Sequence, residues 1–302
     1  MITVINKHLL EGIYRPDKDS HKGQNGRLTI IGGSKLFHGA SLWALKIASR
    51  IVDMVFYATV KDNKKLMEKL KSELYDFIGV SRNEIENYIE ESDAVLIGPG
   101  LSRDIKNPKP QLKTQKLVEE EWEEDTYKIT KHLLAKFPHK KWIIDAGSLQ
   151  MMDIGWLKML KQVIITPHKK EFERLFKTKL IKDPGLCEDR VFTLAKEYGC
   201  IIILKGRTDI VCSATQCVYN TTGNEGMTKG GTGDVLAGLV AALACKNDLF
   251  LAAVAGIYIN GLAGDELYKK VGPYFNASDL CDQIPKTFWR LIRNRNQQKL
   301  RS

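Results

Sequence analysis

The chain has 302 residues, 43% of them hydrophobic and 8% aromatic, and a formal net charge of +10. That length buries a full core, as one large α/β unit or two smaller ones, and the composition excludes a disordered, fibrous or disulfide-scaffold chain. The opening MITVINKHLLEG lacks the apolar stretch of a secretory signal. The apolar runs 235–245 and 249–259, split by Lys246-Asn247-Asp248, are each too short to cross a bilayer, so the expectation is buried helices of a cytoplasmic protein.

Taken in order, short apolar runs at 27–31, 54–60, 94–97, 142–144, 163–165 and 200–204 are rich in Val and Ile. They lack clear alternation, which predicts parallel strands covered on both faces. Helical patterns lie between them, the clearest over 40–52, where Leu42, Leu45, Ile47, Ala48 and Ile51 form one apolar face. A Lys-rich helix is expected over 61–71, and the acidic run 119–125 reads as a solvated helix face or loop. Residues 209–213 and 217–219 flank Ala214-Thr215-Gln216, the pattern of an antiparallel hairpin at a sheet edge. Helices follow over roughly 234–246, 249–269 and 277–294. With no repeat and no linker, residues 1–302 read as one domain with a mostly parallel central sheet in a three-layer α/β/α sandwich.

The Gly- and Pro-containing junctions fall at predicted strand ends: Gly32-Gly33, Gly98-Pro99-Gly100, Asp145-Ala146-Gly147, Thr166-Pro167-His168 and Lys205-Gly206. Ligands gather at the carboxyl ends of strands in open α/β sheets, so five such junctions point to one shared site. The densest cluster is Gly230-Gly231-Thr232-Gly233-Asp234, just ahead of an apolar helix. Exposed glycine amides and the positive end of a helix make a seat for a phosphate or another oxyanion. A carboxylate beside that seat repels phosphate unless it has work to do, such as taking a proton from an attacking hydroxyl, which makes Asp234 the candidate base. An ordinary Gly-rich turn with an N-capping Asp is the simpler alternative.

The six cysteines, at 187, 200, 212, 217, 245 and 281, show neither CxxC nor zinc spacing and read as buried free thiols. Residues 286–302 carry six Lys or Arg and no acid, with Phe288, Trp289, Leu291 and Ile292 among them. This segment is either a docked helix with a basic outer face or a loose tail, and nucleic-acid binding is a minor reading because aromatics are not interleaved with most of the positive charge.

Read together, these segments resemble the NAD(P)H-hydrate dehydratases of the ribokinase-like superfamily, the carbohydrate kinase-like repair enzymes. The motifs run from His21-Lys22-Gly23-Gln24-Asn25-Gly26-Arg27 through Ile97-Gly98-Pro99-Gly100-Leu101, Thr166-Pro167-His168 with Glu171, and Leu204-Lys205-Gly206. They end at Gly230–Leu236 and Asn260-Gly261-Leu262-Ala263-Gly264-Asp265. The resemblance implies a ribokinase-like fold and dehydration of hydrated NADH or NADPH, with ADP or ATP as phosphoryl donor and Mg²⁺ as cofactor. It implies that Lys205, Gly206, Arg207, Thr208 and Asp209 bind the nucleotide. It implies the same for Asn224, Glu225, Gly226, Met227, Thr228, Lys229, Gly230, Gly231, Thr232 and Gly233. Ala40, Gly100, His168, Lys169, Lys170, Glu171, Phe172, Glu173, Arg174 and Asp234 are expected around the hydrated cofactor. The metal ligands stay unassigned. From the residues alone, Lys205 also fits a charge capping a strand end and His168 an N-cap. Two positions depart from the family pattern: Ser102 stands where a second glycine is usual, and Gly147 where Asp-Ala-Asp is usual. The resemblance further implies a separate epimerase as functional partner and leaves the oligomer open. A small-molecule kinase of the same fold is the rival reading.

Overall fold

In a computed structural model of the protein, residues 3–60, 63, 68–69, 72, 74–103, 125–180 and 183–299 are described. The elements are β1 (Arg27–Ile31), α1 (His38–Ala48), β2 (Met54–Ala58), β3 (Ile78–Val80), α2 (Ile85–Glu91), β4 (Ala94–Ile97), α3 (Thr126–Lys136), β5 (Lys141–Ile144), α4 (Ala146–Met151), β6 (Gln162–Ile165), α5 (Lys169–Leu175), α6 (Pro184–Tyr198), β7 (Ile201–Leu204), β8 (Asp209–Cys212), β9 (Cys217–Asn220), α7 (Thr232–Ala244), α8 (Leu249–Val271) and α9 (Ala277–Lys299). The strands form one nine-stranded sheet in the order β3-β2-β1-β4-β5-β6-β7-β8-β9. All neighbours from β3 to β7 are parallel, and β7-β8-β9 are antiparallel.

The apolar runs explain this sheet. Along β1, Leu28 and Ile30 enter one core cluster and Ile31 the opposite one; along β4, Ala94 and Leu96 separate in the same way from Val95 and Ile97. Helices α1, α7, α8 and α9 cover the first face and α2 to α6 the second, so each strand is apolar on both sides. Each large aliphatic side chain so buried contributes about 1.5–3 kcal/mol. Helix α7 is buried along nearly its whole length. It lies close against α1 because Gly238 leaves room for Ala44: a Cβ there would come within 2.6 Å of the Ala44 Cα. That packing holds the α7 N-terminus over the carboxyl ends of the strands.

The chain leaves β1 in one direction to β2 and β3, then returns to place β4 on the other side of β1. Diverging connections there leave a crevice. It is floored by backbone, with the Gly33 N–H donating to the Pro99 carbonyl at 2.8 Å. At the far edge, residues 3–5 lie along β9: the Ile5 N–H donates to the Tyr219 carbonyl at 2.8 Å and the Tyr219 N–H to the Thr3 carbonyl at 2.9 Å.

Several expectations need adjustment. Strand β2 stops at Ala58, short of 60; α1 spans 38–48 instead of 40–52; and β3, absent from the sequence reading, forms the other edge. Of the basic C-terminal segment, residues 286–299 are helical, with Phe288, Leu291 and Ile292 packed on the core. The reading of six free thiols is corrected. Cys212 and Cys217 form a disulfide across the β8–β9 hairpin, because a four-residue connection sets them directly opposite. Cys187 is only partly buried. Helix α8 is long and apolar enough to cross a membrane by length and composition, and 67% of its most apolar window is buried inside this fold. Most of 61–71 and most of the acidic run 119–125 lie outside the described residues; Asp125 caps α3 by accepting from the Lys128 N–H at 2.8 Å.

Candidate active site

Helix α7 begins at Thr232 with Gly231 as its N-cap, at φ +96. Any side chain at 231 would be strained by that φ and would also overlap the Trp43 ring, so glycine is required twice over. The first-turn amides of such a helix have no intrahelical acceptor and carry the positive end of the dipole. Gly233 lies in that turn, and a Cβ on it would stand 3.6 Å from Lys205 Nζ. The lysine therefore reaches from the end of β7 to the amides, completing a seat with both fixed dipoles and a full positive charge.

Asp145, only 2% exposed at the end of β5, holds that lysine in place: Lys205 Nζ donates to its Oδ1 at 3.1 Å. Gly98 at the end of β4 lets the two strand ends close up, since a side chain there would strike the Asp145 carbonyl oxygen. Burial alone would lower the Lys205 pKa, but the carboxylates of Asp145 and Glu171 outweigh it and hold the ammonium above its ordinary value. Asp234 stands in the same charge network. Burial pushes its carboxyl up to about 7, with Asp145 and Glu171 adding to the shift and Lys205 and Arg103 opposing it. A carboxylate poised near neutrality matches the proton affinity that a general base needs. The simpler N-cap reading of Asp234 is replaced, because the cap position belongs to Gly231.

A groove of about 760 Å³ runs from this seat. Eleven of the fifteen residues expected at the nucleotide line it: Lys205, Gly206, Arg207, Thr208, Asp209, Asn224, Glu225, Met227, Thr228, Thr232 and Gly233. The structure does not bring the other four to its wall. Gly226 is buried against Phe275, Gly231 caps α7, Gly230 is exposed, and Lys229 donates to the Pro273 carbonyl with its ammonium over the Phe275 ring. Asp209 is committed to shaping the wall, its Oδ1 accepting from the Gly206 N–H at 2.9 Å and its Oδ2 from Asn220 Nδ2 at 2.9 Å. Asp265 on α8 does the same for the next loop, accepting from the Gly223 N–H at 3.1 Å and from Asn224 Nδ2 at 3.0 Å.

On the other side of Asp234 the expected cofactor contacts divide. Gly100, at φ +72, allows the Phe37 carbonyl a close approach and ties the loop before α1 to the β4 end. Ala40 is half-buried in the first turn of α1. His168 is the N-cap of α5 and closes a capping box: Nδ1 accepts from the Glu171 N–H at 3.2 Å, and Glu171 Oε2 accepts from the His168 N–H at 2.9 Å. Its ring is still half exposed, so capping leaves a face free. Lys169, Lys170 and Arg174 are exposed, Glu173 accepts from the Leu180 N–H at 3.0 Å, and Phe172 is fully buried against Phe176. At Gly147, the Leu101 carbonyl fills the space that a side chain would need.

Sequence reasoning missed the far wall of the groove: Thr221, Thr222, Gly223, Leu236, Ile257, Asn260 and Gly261. The signal was there for Asn260-Gly261, since a polar residue and a glycine interrupt an otherwise apolar helix. Among the described residues, no group of three or more His, Cys, Asp or Glu side chains is placed to hold a metal ion.

A family model described as NAD(P)H-hydrate dehydratase matches residues 28–286. The bifunctional NAD(P)H-hydrate repair enzyme Nnr of Methanocaldococcus jannaschii is 35% identical over 284 residues, covering 91% of this chain and 50% of that protein. The ADP-dependent (S)-NAD(P)H-hydrate dehydratase of Nitrosopumilus maritimus is 32% identical over 282 residues, covering 88% of this chain and 89% of its own length. The chain thus spans about half the length of the bifunctional relatives it matches. The fold matches a ribokinase-like superfamily protein of Enterococcus faecalis (TM-score 0.76, 24% identity, 96% of each chain). It also matches the Bacillus subtilis ADP/ATP-dependent NAD(P)H-hydrate dehydratase crystallised with ATP and Mg²⁺ (TM-score 0.74, 22% identity, 96% of this chain and 99% of that one). With a family model matched over most of its length, this chain belongs to the NAD(P)H-hydrate dehydratase family.

Proposed function

We propose that this chain restores NADH and NADPH from their hydrated S-forms, using a nucleoside di- or triphosphate as phosphoryl donor. The observation that carries the reading is the junction of Lys205, Gly233 and Asp234: an anion seat with a carboxyl group of pKa about 7 at its edge. The substrate's ring hydroxyl sits on C6, and hydroxide is a poor leaving group. Asp234 accepts the hydroxyl proton as that oxygen attacks the terminal phosphorus, and the donor departs one phosphoryl shorter. The α7 amides and Lys205 hold the charge on the transferring group; one such donor is typically worth about 2.7–4 kcal/mol. The ring-nitrogen lone pair then expels phosphate from C6, and loss of a C5 proton restores the dihydropyridine. A kinase could use the same geometry, but here the phosphorylated carbon adjoins a nitrogen that ejects the new group.

The residues present suit a magnesium ion carried on donor phosphates and water, which needs only one or two protein carboxylates. Asp145, ion-paired to Lys205 and in the charge network of Asp234, would be the carboxylate to hold it. When bound, it would neutralise charge on the phosphoryl oxygens. We read the 302 residues as one catalytic unit.

The test is recovery of reduced-nicotinamide absorbance from hydrated NADH, with Mg²⁺ and either ADP or ATP. Recovery dependent on nucleotide, with phosphate released in step, is expected. A stable phosphorylated product would instead make the chain a kinase, and no turnover with either nucleotide from folded protein would sink the reading.

A further inference from the structure

Asn260 lies in the middle of α8 and lines the groove that begins at Lys205 and Gly233. It is only 5% exposed, and its side-chain Oδ1 is buried with no hydrogen-bond partner. Buried acceptors are nearly always satisfied, so an orphan on a groove wall marks a place where a ligand supplies the donor. The surroundings say which kind of ligand. Ile257, one turn earlier on α8, and Leu236 on α7 make the wall apolar beside it, with Met227 from the 225–228 turn. At Gly261 the wall is drawn tight, since a side chain there would overlap Thr222 Oγ1. Thr222 follows β9, two strand spacings or about 10 Å across the sheet from the Lys205 end of β7. The groove therefore has a cationic, amide-lined end for phosphates and a narrow apolar end with one unpaired amide oxygen.

We propose that Asn260 is the residue that selects the base of the phosphoryl donor, by pairing its amide with the edge of adenine. Oδ1 accepts from the 6-amino group while Nδ2 donates to N7, the two-point match of an Asn amide to adenine. Guanine and hypoxanthine carry an oxygen at position 6. Against them the orphan acceptor meets another acceptor, and turning the amide over only moves the clash to N7. This proposal rests on the reading of the groove as the donor site.

The test is direct binding of Mg-ADP, Mg-IDP and Mg-2′-deoxy-ADP to the whole chain without hydrated cofactor. The wild type is compared with Asn260→Leu and Asn260→Ser, each checked for an unaltered melting transition. ADP and IDP differ at the 6-position edge, so the wild-type comparison stands even where a variant fails to fold. The expected result is about a 10- to 100-fold preference for ADP over IDP in the wild type, as for a site that leaves a buried polar group unpaired against the wrong ligand. That preference falls to about threefold or less in both variants, with 2′-deoxy-ADP following ADP throughout. A wild-type ratio near one overturns the proposal, as does a ratio that survives in folded variants. So does a wild-type penalty for the deoxynucleotide that vanishes in the variants, which would place the ribose at Asn260. Failure of the wild type to bind either nucleotide overturns the donor-site reading itself, a result distinct from binding without discrimination.

Discussion

At the scale of single residues, Asp234, as the proposed base, would tie catalysis to pH. Its carboxyl is raised to about 7, so it is protonated and idle as a base in mild acid. Turnover is therefore expected to climb as pH rises through about 7, and a kcat profile checks this. Asp145 raises that pKa and Lys205 lowers it. Asp145→Asn should thus move the acid limb to lower pH and Lys205→Met to higher pH, an opposition that loss of structure does not produce. Lys205→Met should also weaken nucleotide binding, by roughly 10- to 100-fold for one charge-assisted contact. The linkage has a second sign. A carboxyl raised in the folded state costs stability as pH climbs from its unfolded value near 4 through about 7, and the cost is full above that window. Asp234→Asn should bind nucleotide, lose turnover by about 10³-fold or more, and melt at a higher temperature than wild type at pH 8 but not at pH 4. The gain is a few kcal/mol at most, because each pKa unit is worth about 1.4 kcal/mol and the carboxyl is partly open to solvent.

At the scale of elements, the loop into α7 separates two jobs that its glycines share in the sequence. Gly231 is held at φ +96 beneath Trp43, whereas a Cβ on Gly230 meets nothing within 4 Å. Gly231→Ala should cost about 2–4 kcal/mol, and Gly230→Ala should stay within about 1 kcal/mol of wild type; chemical denaturation reads both. Composition alone makes the pair look equivalent, and only the neighbours distinguish them. The same holds more widely. Six inner strands, β1, β2, β4, β5, β6 and β7, were legible because each is a short, mostly apolar run buried on both faces. Strand β3 was not, since it has three residues, a central glycine and two exposed positions. The glycine-led start of α7 at Gly231–Asp234 was legible because local chemistry defines it. Ile257 was not, because spacing along α8 marks it as core and only the approach of the 221–223 loop makes it a wall. Phe172 shows the converse: it stands in a motif that suggests ligand contact, and the helix turns it into the core.

At the scale of the whole molecule, the groove lies over β7, β8 and β9, the Asp145–Lys205 pair over β5 and β7, and the glycine-floored crevice between β1 and β4. A ligand in the groove joins β7, the hairpin, the 222–228 loop and α8, elements far apart in sequence. Nucleotide at 100 times its dissociation constant should therefore stabilise the fold by about 2.7 kcal/mol, seen as a concentration-dependent rise in melting temperature.

The strand-like segment at residues 3–5 has a consequence for solution behaviour. A sheet ending in an unpaired strand offers a template on which other chains can polymerise. Here the outermost amide and carbonyl of Tyr219 are already occupied in cis by Thr3 and Ile5. The N-terminal segment thus works as a stopper, and a tag or trimming that dislodges it would show itself as slow self-association before any loss of catalysis.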